Sequence, residues 1–131
     1  MKRITTSFIC PECSTEGSLK IIQSLALPPD SRSDDIILQI LECQKCNFRG
    51  AAIYEESRRG AFDSGDWEHL GYHVHKEQLD ALSAVMAGCP DPGNIRCQCQ
   101  VHDLLGQRKK NGRWRRPAGF VDQRTFPMPL V

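Results

Sequence analysis

Two pairs of cysteines near the N-terminus have the spacing of a metal site. Cys10 and Cys13 are separated by two residues, as are Cys43 and Cys46, and 29 residues lie between the pairs. Two intervening residues let the chain form a tight turn that directs both thiolates at one ion, and four thiolates in a tetrahedral array suit zinc. The spacing therefore predicts a four-cysteine zinc site. The alternative, four buried or disulfide-bonded cysteines, requires the matched spacing to be a coincidence.

A long hairpin is predicted between the two cysteine pairs. Residues 18–27 and 35–42 are rich in Ile and Leu, and the segment 28–35 is a cluster of turn-forming residues. Residues 50–56 follow as a third strand. The hairpin brings the two pairs together at its base, and its length explains a gap longer than the roughly 15–20 residues that are usual.

Residues 8–56 resemble the zinc-ribbon class, which occurs in transcription factors, RNA polymerase subunits and ribosomal proteins. The resemblance rests on Cys10, Cys13, Cys43 and Cys46. It implies a three-stranded antiparallel ribbon and one structural zinc ion. It leaves the function open, because ribbons serve in DNA binding, in protein docking and as scaffolds. No resemblance is identified for the remainder of the chain.

A second group of potential ligands has the pattern C-x7-C-x-C-x2-H and consists of Cys89, Cys97, Cys99 and His102. Three thiolates and one imidazole are a common structural zinc set. The two groups together use all seven cysteines, so the odd count leaves no spare thiol. We therefore predict a second zinc ion. The alternatives are a free cysteine set with a surface histidine, or a different fourth ligand chosen from His69, His73 and His75.

A helix is predicted over residues 75–87, immediately before the second group. Leu79, Leu82, Val85 and Met86 recur there at helical spacing. Gly88 stands where a left-handed C-cap is expected, and Pro90 follows it. A short strand is predicted over residues 70–74.

A third group of side chains could do acid–base or metal chemistry: Asp63, Asp66, Glu68, His69, His73 and His75. Two histidines of an H-x-H pair on a strand share one face, as in some metal-dependent hydrolases. The alternative is a polar loop with two surface histidines, which we favour. The chain lacks H-E-x-x-H, the zinc-deaminase pattern, Walker A, G-x-S-x-G and G-x-G-x-x-G. We therefore expect neither an enzyme nor a nucleotide cofactor.

The C-terminal part of the chain is strongly basic. Residues 1–107 hold ten Lys/Arg and fifteen Asp/Glu, a net charge of −5, whereas residues 108–131 hold seven Lys/Arg and one Asp, a net charge of +6. Basic side chains can neutralise phosphates, and a tryptophan can stack on an unpaired base. These residues predict DNA or RNA binding: Arg108, Lys109, Lys110, Arg113, Trp114, Arg115 and Arg116. The alternative is a solvated segment whose Trp114 packs back on the body.

The predicted protein is a small α+β metalloprotein in three parts. Residues 1–60 form the ribbon, residues 61–106 the helix with the second zinc-binding unit, and residues 107–131 the basic arm and a tail. A composition with 40% hydrophobic and 25% charged residues is typical of a folded chain. Neither a signal peptide nor a membrane span is evident, so we expect reduced cysteines and a cytoplasmic protein. A protein partner docked on the ribbon is the alternative to nucleic acid.

Overall fold

The computed structural model describes residues 7–58, 66–117, 120 and 124–128. Its main feature is an antiparallel sheet of six strands, in which each strand pairs with its neighbours in chain order. Two helices follow the fifth strand. The elements are β1 (Ser7–Phe8), β2 (Leu19–Leu27), β3 (Asp35–Cys43), β4 (Arg49–Ser57), β5 (Asp66–Tyr72), α1 (Lys76–Ala87), α2 (Gln100–Leu105) and β6 (Thr125–Pro127).

The predicted hairpin and third strand are confirmed as β2, β3 and β4. The sheet is wider than the predicted three strands, because β1, β5 and β6 extend it on both sides. The strand predicted at 70–74 begins earlier, at Asp66, and ends at Tyr72. Within the predicted tail, Thr125–Pro127 forms an edge strand. The fold is therefore mostly β, and the expected α+β balance holds only in part.

The two faces of the sheet carry separate cores, because neighbouring residues of a strand point to opposite faces. Leu38 and Ile40 face the larger core, which the two helices cover, whereas Leu41 faces the smaller core beside the first cysteine group. The larger core also includes Leu25, Leu27, Ile36, Ala51, Ile53, Tyr72, Leu79, Leu82, Met86, Val101, Leu105, Trp114 and Phe120.

The edge strand β6 closes the smaller core. Phe126 and Met128 are buried there against Phe8, Leu19 and the first cysteine group. The Phe126 ring lies directly over Gly71, where an added Cβ would come within 2.1 Å of the ring. Position 71 must therefore be a glycine, because a side chain there would displace the Phe126 ring and disturb the pairing of β6 with β5.

The predicted helix is confirmed as α1, which buries Leu79, Leu82 and Met86. The expected left-handed C-cap at Gly88 is wrong, because Gly88 has φ −77°. The amides of Gly88 and Cys89 instead bond to the carbonyls of Val85 and Met86, three residues earlier. This tightened last turn delivers Cys89 to the second cysteine group without a reversal of the chain.

A histidine is buried in the smaller core. His69 on β5 is 8% exposed, and its Nε2 lies 2.6 Å from Oε1 of Gln39 on β3. The rings of Phe8 and Tyr54 meet the imidazole edge-on, with centroids 5.2 and 5.5 Å away. Burial lowers the pKa of His69 to about 4. His69 is therefore neutral in the native protein near pH 7.

The burial of His69 predicts a loss of stability in mild acid. In the unfolded chain this imidazole has a pKa near 6.5, so below that pH the unfolded state binds a proton that the native state refuses. Between about pH 7.5 and pH 5.5 the free energy of unfolding should fall by about 1.4 kcal/mol for this reason. Denaturant titration at both pH values measures this change in the free energy of unfolding. The difference between the two pH values should shrink in a His69→Gln variant, and an unchanged difference would contradict the assignment.

Candidate metal centres

The first cysteine group converges at one end of the sheet. The sulfur of Cys10 lies 3.6 Å from that of Cys46, and the sulfur of Cys13 lies 3.7 Å from that of Cys43. All four sulfurs lie within 4.8 Å of one another. Cys10 and Cys43 are buried, whereas Cys46 is exposed. The hairpin β2–β3 thus brings together two turns that are distant in sequence.

The two turns have the same local shape. Each Cys-x-x-Cys turn is followed by a residue in the left-handed region, Ser14 at φ 58° and Asn47 at φ 64°. The backbone amides of Lys45 and Cys46 point at the Cys43 sulfur, at 3.3 and 3.4 Å, and the amide of Glu12 points at the Cys10 sulfur at 3.4 Å. Asparagine tolerates the left-handed conformation, so Asn47 was a signal for this turn in the sequence.

Hydroxyl groups support the first group further, and the sequence interpretation missed them. The Thr15 hydroxyl lies 3.3 Å from the Cys13 sulfur, and the Ser18 hydroxyl lies 3.3 Å from the Cys43 sulfur. Burial alone would raise the pKa of Cys43. The Ser18 hydroxyl and the amides of Cys46 and Lys45 outweigh it and lower that pKa to about 6. The surroundings of Cys43 therefore favour its thiolate, which is the form that binds metal, whereas the pKa values of Cys10 and Cys46 are raised above the usual value.

The second group converges beside α2. The Nδ1 atom of His102 lies 3.4 Å from the Cys89 sulfur and 3.3 Å from the Cys99 sulfur. The sulfurs of Cys89 and Cys97 are 3.8 Å apart. These four ligand atoms also lie within 4.8 Å of one another. The structure therefore selects His102, and not His69, His73 or His75, as the fourth member.

The short helix α2 sets the geometry of this group. Cys99 is its N-cap, and the Cys99 sulfur accepts a hydrogen bond from the His102 amide. On its far side, His102 Nε2 donates to the carbonyl oxygen of Ala26 on β2, at 2.9 Å. A carbonyl can only accept, so Nε2 carries the proton of this hydrogen bond, and Nδ1 faces the sulfurs of Cys89 and Cys99. His102 thereby ties the group to the sheet.

The thiols of the second group differ in acidity. The hydrogen bond with the His102 side chain lowers the pKa of Cys99 to about 6. Burial raises the pKa of Cys89 to about 11. A cation at the centre of the group favours deprotonation of all three thiols, so metal binding releases protons here.

Both groups fit the dimensions of a tetrahedral zinc site. Sulfurs at about 2.3 Å from a zinc ion are about 3.8 Å apart in a tetrahedron, whereas a disulfide bond is about 2.05 Å long. The sulfur pairs measure 3.6, 3.7 and 3.8 Å. The donor sets, four thiolates and three thiolates with one imidazole, are those that zinc prefers. The chain thus has two Cys-rich groups with the geometry of metal sites.

The acidic and histidine-rich residues form no comparable group in the described part of the chain. The imidazole of His73 contacts the rings of Phe48 and Phe126, and its Nδ1 lies 3.8 Å from a carboxylate oxygen of Glu12. His75 is exposed at the N-cap of α1, beyond the end of β5. The two histidines therefore do not share a strand face as predicted. Asp63 lies outside the described residues, Asp66 begins β5, and Glu68 is exposed.

Some side chains of the basic segment bind to the body of the protein, and the others are exposed. Arg113 binds Asp30 at 2.7 Å and Glu55 at 3.1 Å. Trp114 is 5% exposed, and its indole N–H donates to the Leu105 carbonyl at 2.6 Å. Arg116 donates to the Tyr72 hydroxyl at 2.7 Å. Arg108, which donates to the Pro29 carbonyl, is exposed, as are Lys109, Lys110 and Arg115.

Asp30 anchors the segment to the turn between β2 and β3. Its side chain is 1% exposed, and it accepts bonds from the amides of Ser33, Arg32 and Trp114. Burial alone would raise the pKa of Asp30, but these amides and the Arg113 guanidinium hold it below its usual value. The ionised carboxylate of Asp30 is therefore stabilised in a buried position by Arg113 and Trp114, which are more than 80 positions away in the chain.

No helix in the described part of the chain is long and apolar enough to cross a bilayer. Comparison of the chain with models of protein families, with curated proteins and with solved structures finds no match. The function therefore has to be argued from the two cysteine groups and the surfaces around them.

Proposed function

We propose that this chain is a zinc protein in which two structural metal ions hold together a module that binds another macromolecule. The observation that carries the proposal is that each group supplies four protein ligands around one point. Four protein ligands leave no coordination position for a substrate, which is typical of structural zinc. Cys10, Cys13, Cys43 and Cys46 would hold one ion, and Cys89, Cys97, Cys99 and His102 the other.

The placement of the two groups supports a structural role. The first joins the start of the sheet to the end of β3, next to the smaller core. The second joins the end of α1 to α2 and, through His102, to β2. Each group therefore links separate segments of the chain, as expected for metal ions that contribute folding energy.

Protein purified without chelators should contain two zinc ions per chain, one for each group. A Cys97→Ser variant should contain one. The first group has more N–H and O–H groups directed at its sulfurs, so a chelator should remove the zinc ion of the second group first. Native mass spectrometry during the chelator titration measures the zinc content of both proteins and the order in which the two ions are lost. Metal-free wild-type protein would contradict the proposal, whereas one ion in the wild type would remove only the second site.

Binding to DNA or RNA is a second candidate function. The observation that favours it is the exposure of Lys109, Lys110 and Arg115 on one turn of the chain. Arg113 and Arg116 contribute less charge to a partner, because Glu55 and Asp30 neutralise them. The buried Trp114 has no free face for an unpaired base. Any nucleic-acid contact would therefore be electrostatic and made by about three side chains.

This candidate predicts a shallow dependence on salt. With about three phosphate contacts, log K should fall by about 2–3 for each unit of log salt, since each contact contributes about 0.7–0.9. Fluorescence anisotropy with labelled single-stranded and duplex DNA measures the slope. A triple variant with glutamine at Lys109, Lys110 and Arg115 should lose the binding and keep its zinc. Absence of binding by the wild type at low salt would refute this candidate.

A further inference from the structure

The exposed side of α2 carries an apolar side chain that the core does not use. Val101 and Leu105 are buried against the sheet, but Leu104 is 56% exposed. Beside it lies an open depression of about 230 Å³ whose floor is formed by Leu104, Leu105 and Pro117. An aliphatic side chain from a partner would fit this space, and its burial would remove apolar surface of both molecules from water.

Cationic groups surround the apolar floor. Arg115 and Arg116 line the depression together with Gln107. Arg115 is exposed and makes no ion pair with any residue in the described ranges, so its charge is available to a ligand. A carboxylate next to the inserted side chain would meet a guanidinium that can bind it with two hydrogen bonds.

A second depression adjoins α2 and is more polar than the first, since Gln98, His102 and Asp103 also line it. It measures about 470 Å³ and includes Pro28, Ile95, Arg96 and Gly106 in its lining. Ile95 is 44% exposed and Arg96 is exposed. Asp103 in the second depression is the acidic group among the described residues of these linings. Each depression therefore has one exposed apolar side chain, Leu104 or Ile95, and one exposed arginine, Arg115 or Arg96.

The lining favours a peptide over a nucleic acid. Among the described residues that line the two depressions there is no aromatic ring on which a base could stack. Trp114 is close in sequence, but it is buried. A phosphodiester backbone would leave Leu104 and Ile95 uncovered, whereas an acidic peptide with apolar side chains would cover them and pair with the arginines.

We propose that this α2 surface, formed by Ile95, Arg96, Leu104, Arg115 and the two depressions, binds an acidic segment of a partner protein that carries large apolar side chains. The proposal rests on the binding-module function above and names its partner class. The second cysteine group fixes the surface, because Cys99 caps α2, His102 belongs to α2 and Cys97 follows Arg96 directly.

The test uses the full chain labelled with ¹⁵N and a synthetic peptide of alternating Glu and Leu. Titration should shift the amide signals of residues 95–107 and 115–116, and a peptide with Gln in place of Glu should bind more weakly. Leu104→Ser and Arg115→Gln should each weaken binding by about tenfold, because each removes one contact of a kind worth about that factor. Lys76→Gln, an exposed position on α1 outside both depressions, is the matched control and should bind normally.

Several results would overturn the proposal. Signal shifts at Ile9 and Lys45 would place the peptide on the first cysteine group instead. Equal binding by Leu104→Ser and wild type would exclude the apolar anchor. Oligo(dT) that shifts the same signals and displaces the peptide would assign the surface to nucleic acid. The zinc content of every variant is measured in parallel, so two ions per chain with no peptide binding would refute this surface and leave the structural role of zinc intact.

Discussion

A Cys43→Ser variant will lose the first metal site and unfold the sheet. Cys43 ends β3, is 2% exposed and belongs to both the metal group and the smaller core. Structural zinc contributes roughly 10–16 kcal/mol of apparent binding free energy in small peptides. The net stability of a whole domain is about 5–15 kcal/mol, so the protein cannot tolerate the loss of this ion. Circular dichroism melting and zinc analysis measure the effect.

Two further variants distinguish loss of metal from other effects of the Cys43→Ser change. Ser18→Ala removes a hydroxyl next to the same sulfur without removing a ligand, and it should cost only about 1 kcal/mol. Cys97→Ser removes a ligand of the second group and should leave the first zinc ion in place. A Cys43→Ser protein with unchanged melting temperature and zinc content would show that the first group is not a structural metal site.

Replacing Trp114 or Arg113 with alanine will destabilise the protein by several kcal/mol, although both lie in a segment that the sequence marks as a basic surface. Trp114→Ala empties a buried position in the larger core, which typically costs about 3–5 kcal/mol. Arg113→Ala removes the guanidinium that pairs with the buried carboxylates of Asp30 and Glu55, a change that also costs about 3–5 kcal/mol. Denaturant unfolding measures both values.

Arg115→Ala is the matched control for these variants. Arg115 adjoins Trp114, carries the same charge as Arg113 and is exposed, so its replacement should change the free energy of unfolding by no more than about 0.5 kcal/mol. For the same reason, a chain truncated after Gln107 should fail to fold instead of merely losing a binding arm. Equal stability of the Trp114→Ala and Arg115→Ala proteins would contradict the structure of this segment.

The elements that sequence analysis predicts well are those with local signals. The aliphatic runs before and after the turn at 28–35 predict β2 and β3, and the period of Leu79, Leu82 and Met86 predicts α1. The cysteine spacings predict which side chains meet, because a two-residue gap allows few backbone conformations. Even the choice of His102 follows from its position one turn beyond Cys99.

The contacts that sequence analysis misses join residues far apart in the chain. Arg113 pairs with Asp30 and Glu55, which are 83 and 58 positions away, and no local pattern links them. A tryptophan among basic residues has the same local composition whether it is buried or stacks on a base. The short strands β1 and β6 contain only two and three residues, too few for an alternating pattern to be recognised.

The basic segment and β6 follow both metal groups in the chain, and this order has a consequence for biosynthesis. Every ligand of both metal groups precedes residue 103, so these ligands are synthesised before Arg113 and β6. At that stage β5 is an open sheet edge, and the buried carboxylates of Asp30 and Glu55 lack Arg113. An open edge can pair with other nascent chains. Chains that stop before Arg113 are therefore expected to expose this edge and to aggregate.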